Sequence, residues 1–420
     1  MASSAVTSIS CQGIRRLGCV TAYLDHAATT PMRAAAVDAM TQELTSTGNP
    51  SSLHAAGRAA RRRVEESREA LALALGARPS EVVLTGGGTE ADNLAVKGLF
   101  WARRVQDPDR RRILVSAVEH HAILDPAFWM AEHAGAEIVL LPVDSRGVLD
   151  LDALDDELSA HGDQVALVSV MWANNEVGSL QPVREVTSRA HRYGIPVHSD
   201  AVQALGQVPV DFAASGLDAM TVAAHKVGGP LGVGALLARR GLDLTPVLHG
   251  GGQERGIRSG TLDAPATVAF AVAARLAVAD QPAAAERLAA LRDDLVRRVR
   301  GAVPGAVLRG PDPLVDGASR LPANAHFTFP GCEGDSLLYL LDSAGVQCST
   351  GSACQAGVPR PSHVLLAMGV DEDDARGALR FTLGHTSTSR DVDALVEVLP
   401  GVVERAQAAG LAGRAAAGAR

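Results

Sequence analysis

The chain of 420 residues is 47% hydrophobic and 20% charged, enough for two or three domains with full apolar cores. Its formal charge of −8, from 39 Lys and Arg against 47 Asp and Glu, argues against direct binding to nucleic acid or to an acidic membrane. Aromatic residues make up only 3%, so Val, Leu, Ile and Ala must carry the packing.

Residues 1–20 contain Ser, Thr, Arg15 and Arg16 but no apolar core of signal length, and read as a flexible extension or as a start codon placed too early. From about residue 50 to 240, strand patterns at 81–84, 113–117, 137–141, 165–171, 195–198, 219–223 and 232–238 alternate with helical ones. The helical stretches are 90–105, 121–134, 151–160 and 183–193. This alternation predicts an α/β fold: a mostly parallel seven-stranded sheet with helices on both faces. An Ala-rich helix follows over 264–299; its most apolar part contains Arg275 and reads as globular, not as a membrane span. Beyond it come a strand at 324–329, a helix near 335–344, a Ser/Gly loop and more helices, a smaller α+β unit. The expected division is a large domain over 21–275, whose first residues are free to pack on the small domain, a small domain over 276–407, and an Ala/Gly-rich tail over 408–420. Both ends fit a cytoplasmic protein.

Three segments carry chemistry. Thr85-Gly86-Gly87-Gly88-Thr89-Glu90 follows a strand and opens a helix, where glycines admit an anion to free backbone N–H groups and Thr89 adds a hydroxyl. Alone, a Gly-rich turn with a Thr cap explains it equally well, and no Gly-Lys-Ser/Thr follows to make a nucleotide loop. His198-Ser199-Asp200-Ala201-Val202-Gln203 puts a carboxylate at a strand end, where open α/β sheets bind ligands; alone, Asp200 reads as a helix cap. Ala224-His225-Lys226-Val227-Gly228-Gly229-Pro230 puts a lysine at the next strand end; alone, it reads as a surface lysine. In this order, a phosphate loop, an acid and a lysine are the parts of a pyridoxal phosphate (PLP) site, with Lys226 capturing the cofactor as an imine.

Further segments extend the pattern: Tyr23-Leu24-Asp25-His26-Ala27-Ala28-Thr29-Thr30, Gly48-Asn49-Pro50-Ser51-Ser52, Gly87-Gly88-Thr89-Glu90-Ala91-Asp92-Asn93, Glu119-His120, Asn174-Asn175-Glu176-Val177-Gly178, Arg258-Ser259-Gly260-Thr261, Ser349-Thr350-Gly351-Ser352-Ala353-Cys354 and Arg380-Phe381. With them the chain resembles the cysteine desulfurases of the class V aminotransferase family, PLP fold type I, from residue 23 to about 399.

The resemblance implies a role for each matching residue. Lys226 holds PLP and moves protons at the substrate α-carbon. Asp200 pairs with the ring nitrogen, His120 covers the ring face and serves in acid–base steps, and Asn175 and Gln203 bond near the 3-oxygen. Gly88, Thr89 and His225 cradle the phosphate, joined by Thr261 from a second subunit, which implies a homodimer. Arg380 binds the carboxylate of L-cysteine with Asn49 assisting. Cys354, on a loop of the Ser-Gly-Ser-Ala-Cys type, attacks the substrate sulfur as a thiolate, becomes a persulfide and releases alanine. The sulfur then passes to an iron–sulfur scaffold or a tRNA-thiolation enzyme. No resident metal is implied, Cys354 being at most a transient contact to a cluster during transfer.

The other four cysteines, Cys11, Cys19, Cys332 and Cys348, take no part, and five sparse thiols without a C-x-x-C pair suggest neither a disulfide framework nor zinc. Three positions depart from the family pattern. Ala223 stands where a phosphate-binding serine is frequent, Gly86 where Ser or Thr is frequent, and His385 where arginine is common. The rivals are a selenocysteine lyase, another class V aminotransferase or, more remotely, a non-catalytic sulfur-carrier scaffold, against which the retained Lys226 and Asp200 argue.

Overall fold

The structure, a computed structural model, describes residues 22–315, 319–351 and 361–417. The chain opens with a short strand, β1 (Ala22–Tyr23), and two helices, α1 (Ala34–Leu44) and α2 (Ala55–Ala74). Then strands and helices alternate: β2 (Val82–Thr85), α3 (Gly88–Gln106), β3 (Arg112–Ser116), α4 (His121–Ala134), β4 (Glu137–Leu141), α5 (Leu151–His161), β5 (Val165–Ser169), α6 (Val183–His191), β6 (Val197–Asp200), α7 (Phe212–Ser215), β7 (Ala219–Ala223) and β8 (Gly234–Ala238).

The seven strands β2 to β8 form one sheet in the order β2-β8-β7-β6-β5-β3-β4. Strands β7, β6, β5, β3 and β4 run parallel, and β8 runs antiparallel between β7 and β2. This is the expected mixed, mostly parallel α/β sheet. Strands β2, β5, β6, β7 and β8 are buried along their whole length, as strands covered on both faces must be. One face packs Val64, Leu71 and Leu75 of α2 and Phe270 of the following long helix; the other packs Leu99 and Phe100 of α3 with Ile123 and Met130 of α4.

Several strand boundaries move by one or two residues from expectation, the strand expected over 165–171 ending at Ser169, and two of the shifts have clear local reasons. The sixth strand starts at Val197, not at 195, because Pro196 has no N–H to give to a ladder, and pairing with β7 carries it on to Asp200. The eighth starts at Gly234 because Gly232 turns the chain with φ +76°.

The 39-residue α8 (Ala264–Ala302) packs on α1 and α2 in its first half and continues without a break through residue 275 and past Pro282. The remaining elements are β9 (Val307–Arg309), β10 (Asn324–Thr328), α9 (Gly334–Ser343), β11 (Val346–Gln347), α10 (His363–Ala367), α11 (Glu372–Arg376), β12 (Ala378–Thr382) and α12 (Ser389–Ala417). Strand β10 lies between β12 and β9 in an antiparallel sheet, and β11 pairs with β1. A second core forms here from Phe327, Phe329, Phe381, Leu395 and Leu399 with the second half of α8, and Ala22 and Leu24 join it. Phe327 and Phe381 are fully buried with ring centroids 6.4 Å apart; truncating either to Ala costs about 3–5 kcal/mol.

Candidate active site

The C-terminal ends of β3, β5, β6 and β7 open on one cavity of about 390 Å³, the place where ligands bind open α/β sheets. Asp200 is the last residue of β6, and Lys226 follows β7 by three residues, so the two side chains enter from adjacent strands. Gly88 and Thr89 begin α3 at the end of β2, and His120 caps α4, its Nδ1 accepting from Ala122 N at 3.1 Å. Asn175, Gln203 and His225 complete the wall on this side, while Ser349, Gly351 and Arg380 close it from the C-terminal region.

The Lys226 amine donates to Ala27 O at 2.5 Å and Ala28 O at 2.9 Å. Burial and the nearby Arg380 guanidinium pull its pKa down to about 8, against the opposing pull of Asp200 and Asp25. Roughly a tenth of the amine is then neutral at pH 7, far more than for an exposed lysine. Burial pushes the Asp200 carboxyl up to about 6, although the Val202 N–H, 2.8 Å away, and Lys226 favour its anion. Burial likewise takes His120 and His225 down to about 4, with Lys226 the next cause for each, so both imidazoles are neutral near pH 7.

At the phosphate end no side chain caps α3, which leaves its first N–H groups for an anion. Gly87 takes φ +145°, and a Cβ at Gly88 would come within 3.2 Å of Val202 Cγ2 and 3.5 Å of Ala223 Cβ. The glycines therefore keep this corner open. Arg258 pairs with Glu90 in the first turn of α3 at 2.6 Å, tying the 258–261 segment to the loop.

On the opposite wall, Arg380 is 5% exposed at its side chain, with Nη2 2.9 Å from Asp25 Oδ1 and Nη1 donating to Asn175 O at 3.0 Å. Its Nε has no partner. The Arg380 backbone also bridges Ser349, giving its N–H to Ser349 O at 2.6 Å. Gln203 is partly committed, its Nε2 donating to Ala27 O at 2.9 Å.

These residues fit PLP. A buried carboxylate with a single N–H donor can take a ring N–H, an amine with a lowered pKa lies beside it, and an uncapped helix start offers an anion cradle at a strand end.

The cavity brings together Gly88, Thr89, His120, Asn175, Asp200, Gln203, His225, Lys226 and Arg380. Asn49 is not among the lining residues: it is exposed, and its Oδ1 accepts from Ser51 N at 2.9 Å within its own turn. Thr261 is exposed and does not line the cavity of its own chain. Cys354 lies outside the described residues, as do Cys11 and Cys19. Cys348 is buried and its thiol is pushed far above the usual range by burial, which suits an inert residue; Cys332 is buried too, at about 11. Two carboxyls without an expected role also sit here: Asp92 lines the cavity, and Glu119 accepts from Met171 N at 2.5 Å. A charged residue among Ala91, Leu94 and Ala95 on the inward side of α3 is the sequence signal that marks Asp92.

Residues 22–395 match the family model for class-V aminotransferases. The chain is 58% identical to the IscS-like cysteine desulfurase of Mycobacterium tuberculosis over 391 residues, which cover 93% of this chain and 98% of that protein. It is 41% identical to the cysteine desulfurase IscS of Dictyoglomus turgidum, over 91% of this chain and 94% of that one. Among solved structures, a NifS-like protein superposes with a TM-score of 0.83 at 34% identity, over 91% of this chain and 99% of that chain. The chain belongs to the aminotransferase class-V family, a PLP-dependent family, and within it to the cysteine desulfurases.

Proposed function

We propose that the chain takes sulfur from L-cysteine with PLP bound at Lys226, gives L-alanine, and carries the sulfur as a persulfide on Cys354. The observation that carries this reading is the convergence of Lys226, Asp200, the open start of α3 and Arg380 on one cavity. When bound, PLP supplies an electron-accepting ring that makes the substrate α-proton acidic.

The chain's own residues do the rest. The Lys226 amine, near 8, holds the cofactor at its aldehyde carbon and then takes and returns protons at the substrate α-carbon. Asp200 holds the ring nitrogen, Asn175 and Gln203 the 3-oxygen side, and the neutral His120 the ring face. Gly88, Thr89 and His225 take the phosphate, with Thr261 supplied by a second copy of the chain in a homodimer. The exposure of Thr261 and its absence from the lining of its own chain's cavity support that exchange. Ala223 offers the phosphate no hydroxyl, which leaves more of the load to Thr89, His225 and Thr261. Arg380 takes the substrate carboxylate by its guanidinium edge.

The sulfur step balances without an external oxidant. The Cys354 thiolate forms an S–S bond with the substrate sulfur as the substrate C–S bond breaks, and the β-carbon takes up a proton and leaves as the methyl of alanine. A persulfide carrier needs a reducing compartment, which supports a cytoplasmic site of action. Acceptors of the chemistry named, an iron–sulfur scaffold or a tRNA-thiolation enzyme, would take the sulfur by thiol exchange.

The test is turnover of L-cysteine by the purified enzyme, followed by amino-acid analysis and mass spectrometry. Alanine should form in step with a +32 Da adduct on Cys354, on the order of one sulfur atom per thiol. Full-rate sulfide release by Cys354→Ala, or pyruvate as product, would sink this mechanism. Transfer of the adduct to candidate acceptors then distinguishes the two destinations.

A further inference from the structure

Asp92 lies on the inward side of α3, 1% exposed, in the same cavity as Asp200. Its Oδ1 has no hydrogen-bond partner among the described residues, and the His198 imidazole Nε2 stands 3.7 Å from it. The Asp92 carboxyl meets the Thr221 hydroxyl. Thr221 Oγ1 is 3.0 Å from His198 Nε2, and His198 Nδ1 is 2.9 Å from Ser169 Oγ. A buried polar line, Asp92–Thr221–His198–Ser169, thus crosses from α3 through β7 and β6 to β5 under the cavity floor.

A neutral imidazole has one donating and one accepting nitrogen, so the line has two polarities. In one, Asp92 is an acid that donates to Thr221, Thr221 donates to Nε2, and Nδ1–H donates to Ser169. In the other, every bond reverses and ends on an Asp92 carboxylate. The second polarity would put two carboxylates, Asp92 and Asp200, in one dry site.

The groups that face Asp92 decide between them. Asp200 and His198 come from β6, Glu119 from the turn after β3, Lys226 from the turn after β7, and His120 from the cap of α4. Glu119 Oε2 also lacks a partner among the described residues, and Arg380 is already paired with Asp25. Like charges this close cannot all ionise away from water. Burial keeps His198 neutral, at about 3, so it brings no compensating charge. Asp200 has a backbone N–H and the Lys226 amine to favour its anion; Asp92 has only the Thr221 hydroxyl, which burial and the Asp200 charge outweigh.

We propose that Asp92 is held as a neutral acid on the Thr221–His198–Ser169 line and so leaves Asp200 as the single anion of the pair. This makes Asp92 a positioning residue for the partner of the ring nitrogen. The inference rests on the reading of Asp200 as that partner.

Difference infrared spectroscopy of full-length wild type and Asp92→Asn, with and without PLP, tests it at pH 7. One protonated-carboxyl C=O band of the wild type should be lost in Asp92→Asn, while a band from the buried Glu119, also shifted up by burial, stays. Stability should follow. An acid kept protonated in the fold but ionised when unfolded makes stability fall as pH rises above its ordinary value near 4, and Asp92→Asn should flatten that slope by about one proton between pH 5 and 7. Thr221→Val breaks the line with its shape kept, and should weaken PLP binding about 5-fold while shifting the band.

A band and slope unchanged in Asp92→Asn overturn the proposal. Should that variant not fold, an unmoved band in Thr221→Val does the same. If Asp200→Asn instead binds PLP as tightly and with the same spectrum as wild type, the Asp200 reading fails while the infrared result on Asp92 stands.

Discussion

The cofactor wall of the cavity is made at neighbouring strand ends of one sheet, whereas the wall with Arg380 is made where a second, antiparallel sheet meets the first. On the first wall each side chain is delivered by its own strand or helix start; Asp200 and His120 find partners two residues on, in Val202 and Ala122, while Lys226, Gln203 and His225 reach back to residues 27–29. On the second, Arg380 on β12 depends on Asp25 and Asn175, 355 and 205 residues away. The same bond chemistry serves both walls. The difference lies in what brings the side chains in: neighbouring strand ends of one sheet for the first wall, the meeting of two sheets for the second.

Removing the amine from the first wall should have the largest effect. Lys226→Ala loses both the covalent hold on PLP and the proton carrier, so kcat should fall on the order of 10²–10⁴-fold or further, with loss of the yellow absorption on dialysis. Steady-state kinetics and an absorption spectrum check both; a yellow, active variant would remove this lysine from the mechanism.

That wall was also the more legible one in the sequence. Gly88, Asp200 and Lys226 each sit directly after a strand pattern, so alternation of strands and helices was enough to bring them to one edge of one sheet. The second wall carries no such local signal. Nothing near Arg380 announces that Asp25 pairs with it, because their meeting depends on β1 joining β11 and β10 lying between β12 and β9. Asn49 illustrates the reverse error of scale: a motif match says which turn it occupies, but its side chain bonds within that turn and does not reach the cavity. Asp92 was visible as a letter in a motif, yet its burial comes from the strands behind it.

Arg380→Ala sharpens the comparison, since it acts on both walls at once. Loss of a charge-assisted pair with the substrate carboxylate is worth about 1.5–3 kcal/mol, so KM for cysteine should rise roughly 10- to 100-fold with a smaller change in kcat. Arg380 also helps hold the Lys226 amine down, second to burial. Its removal should therefore move the pKa of that amine upward in the PLP-free enzyme, read from the pH profile of PLP rebinding. An unchanged KM would take Arg380 out of carboxylate binding, and an unmoved profile would show that the walls are electrostatically independent.

An effect on stability and not on turnover comes from two buried histidines, one behind each wall. Burial takes both His198 on β6 and His326 on β10 down to about 3. Each therefore binds a proton in the unfolded chain, near 6.5, that it cannot bind when folded; the stability this provides is full above pH 6.5 and is lost as pH falls toward 3. At pH 5 the loss is about 2 kcal/mol for each. Their partners differ. His198 bridges Ser169 and Thr221, whereas His326, between Arg309 and Arg380 in register, has no side-chain hydrogen-bond partner among the described residues and meets the Thr350 backbone. His198→Leu should then cost about 2–4 kcal/mol at pH 7.5 by stranding two hydroxyls, while His326→Leu, of similar volume, should change stability by less than about 1 kcal/mol. Both variants should lose the wild type's extra acid sensitivity between pH 7.5 and 5 in urea melts. Equal costs at pH 7.5 would mean that the second wall is as tightly bonded behind its surface as the first.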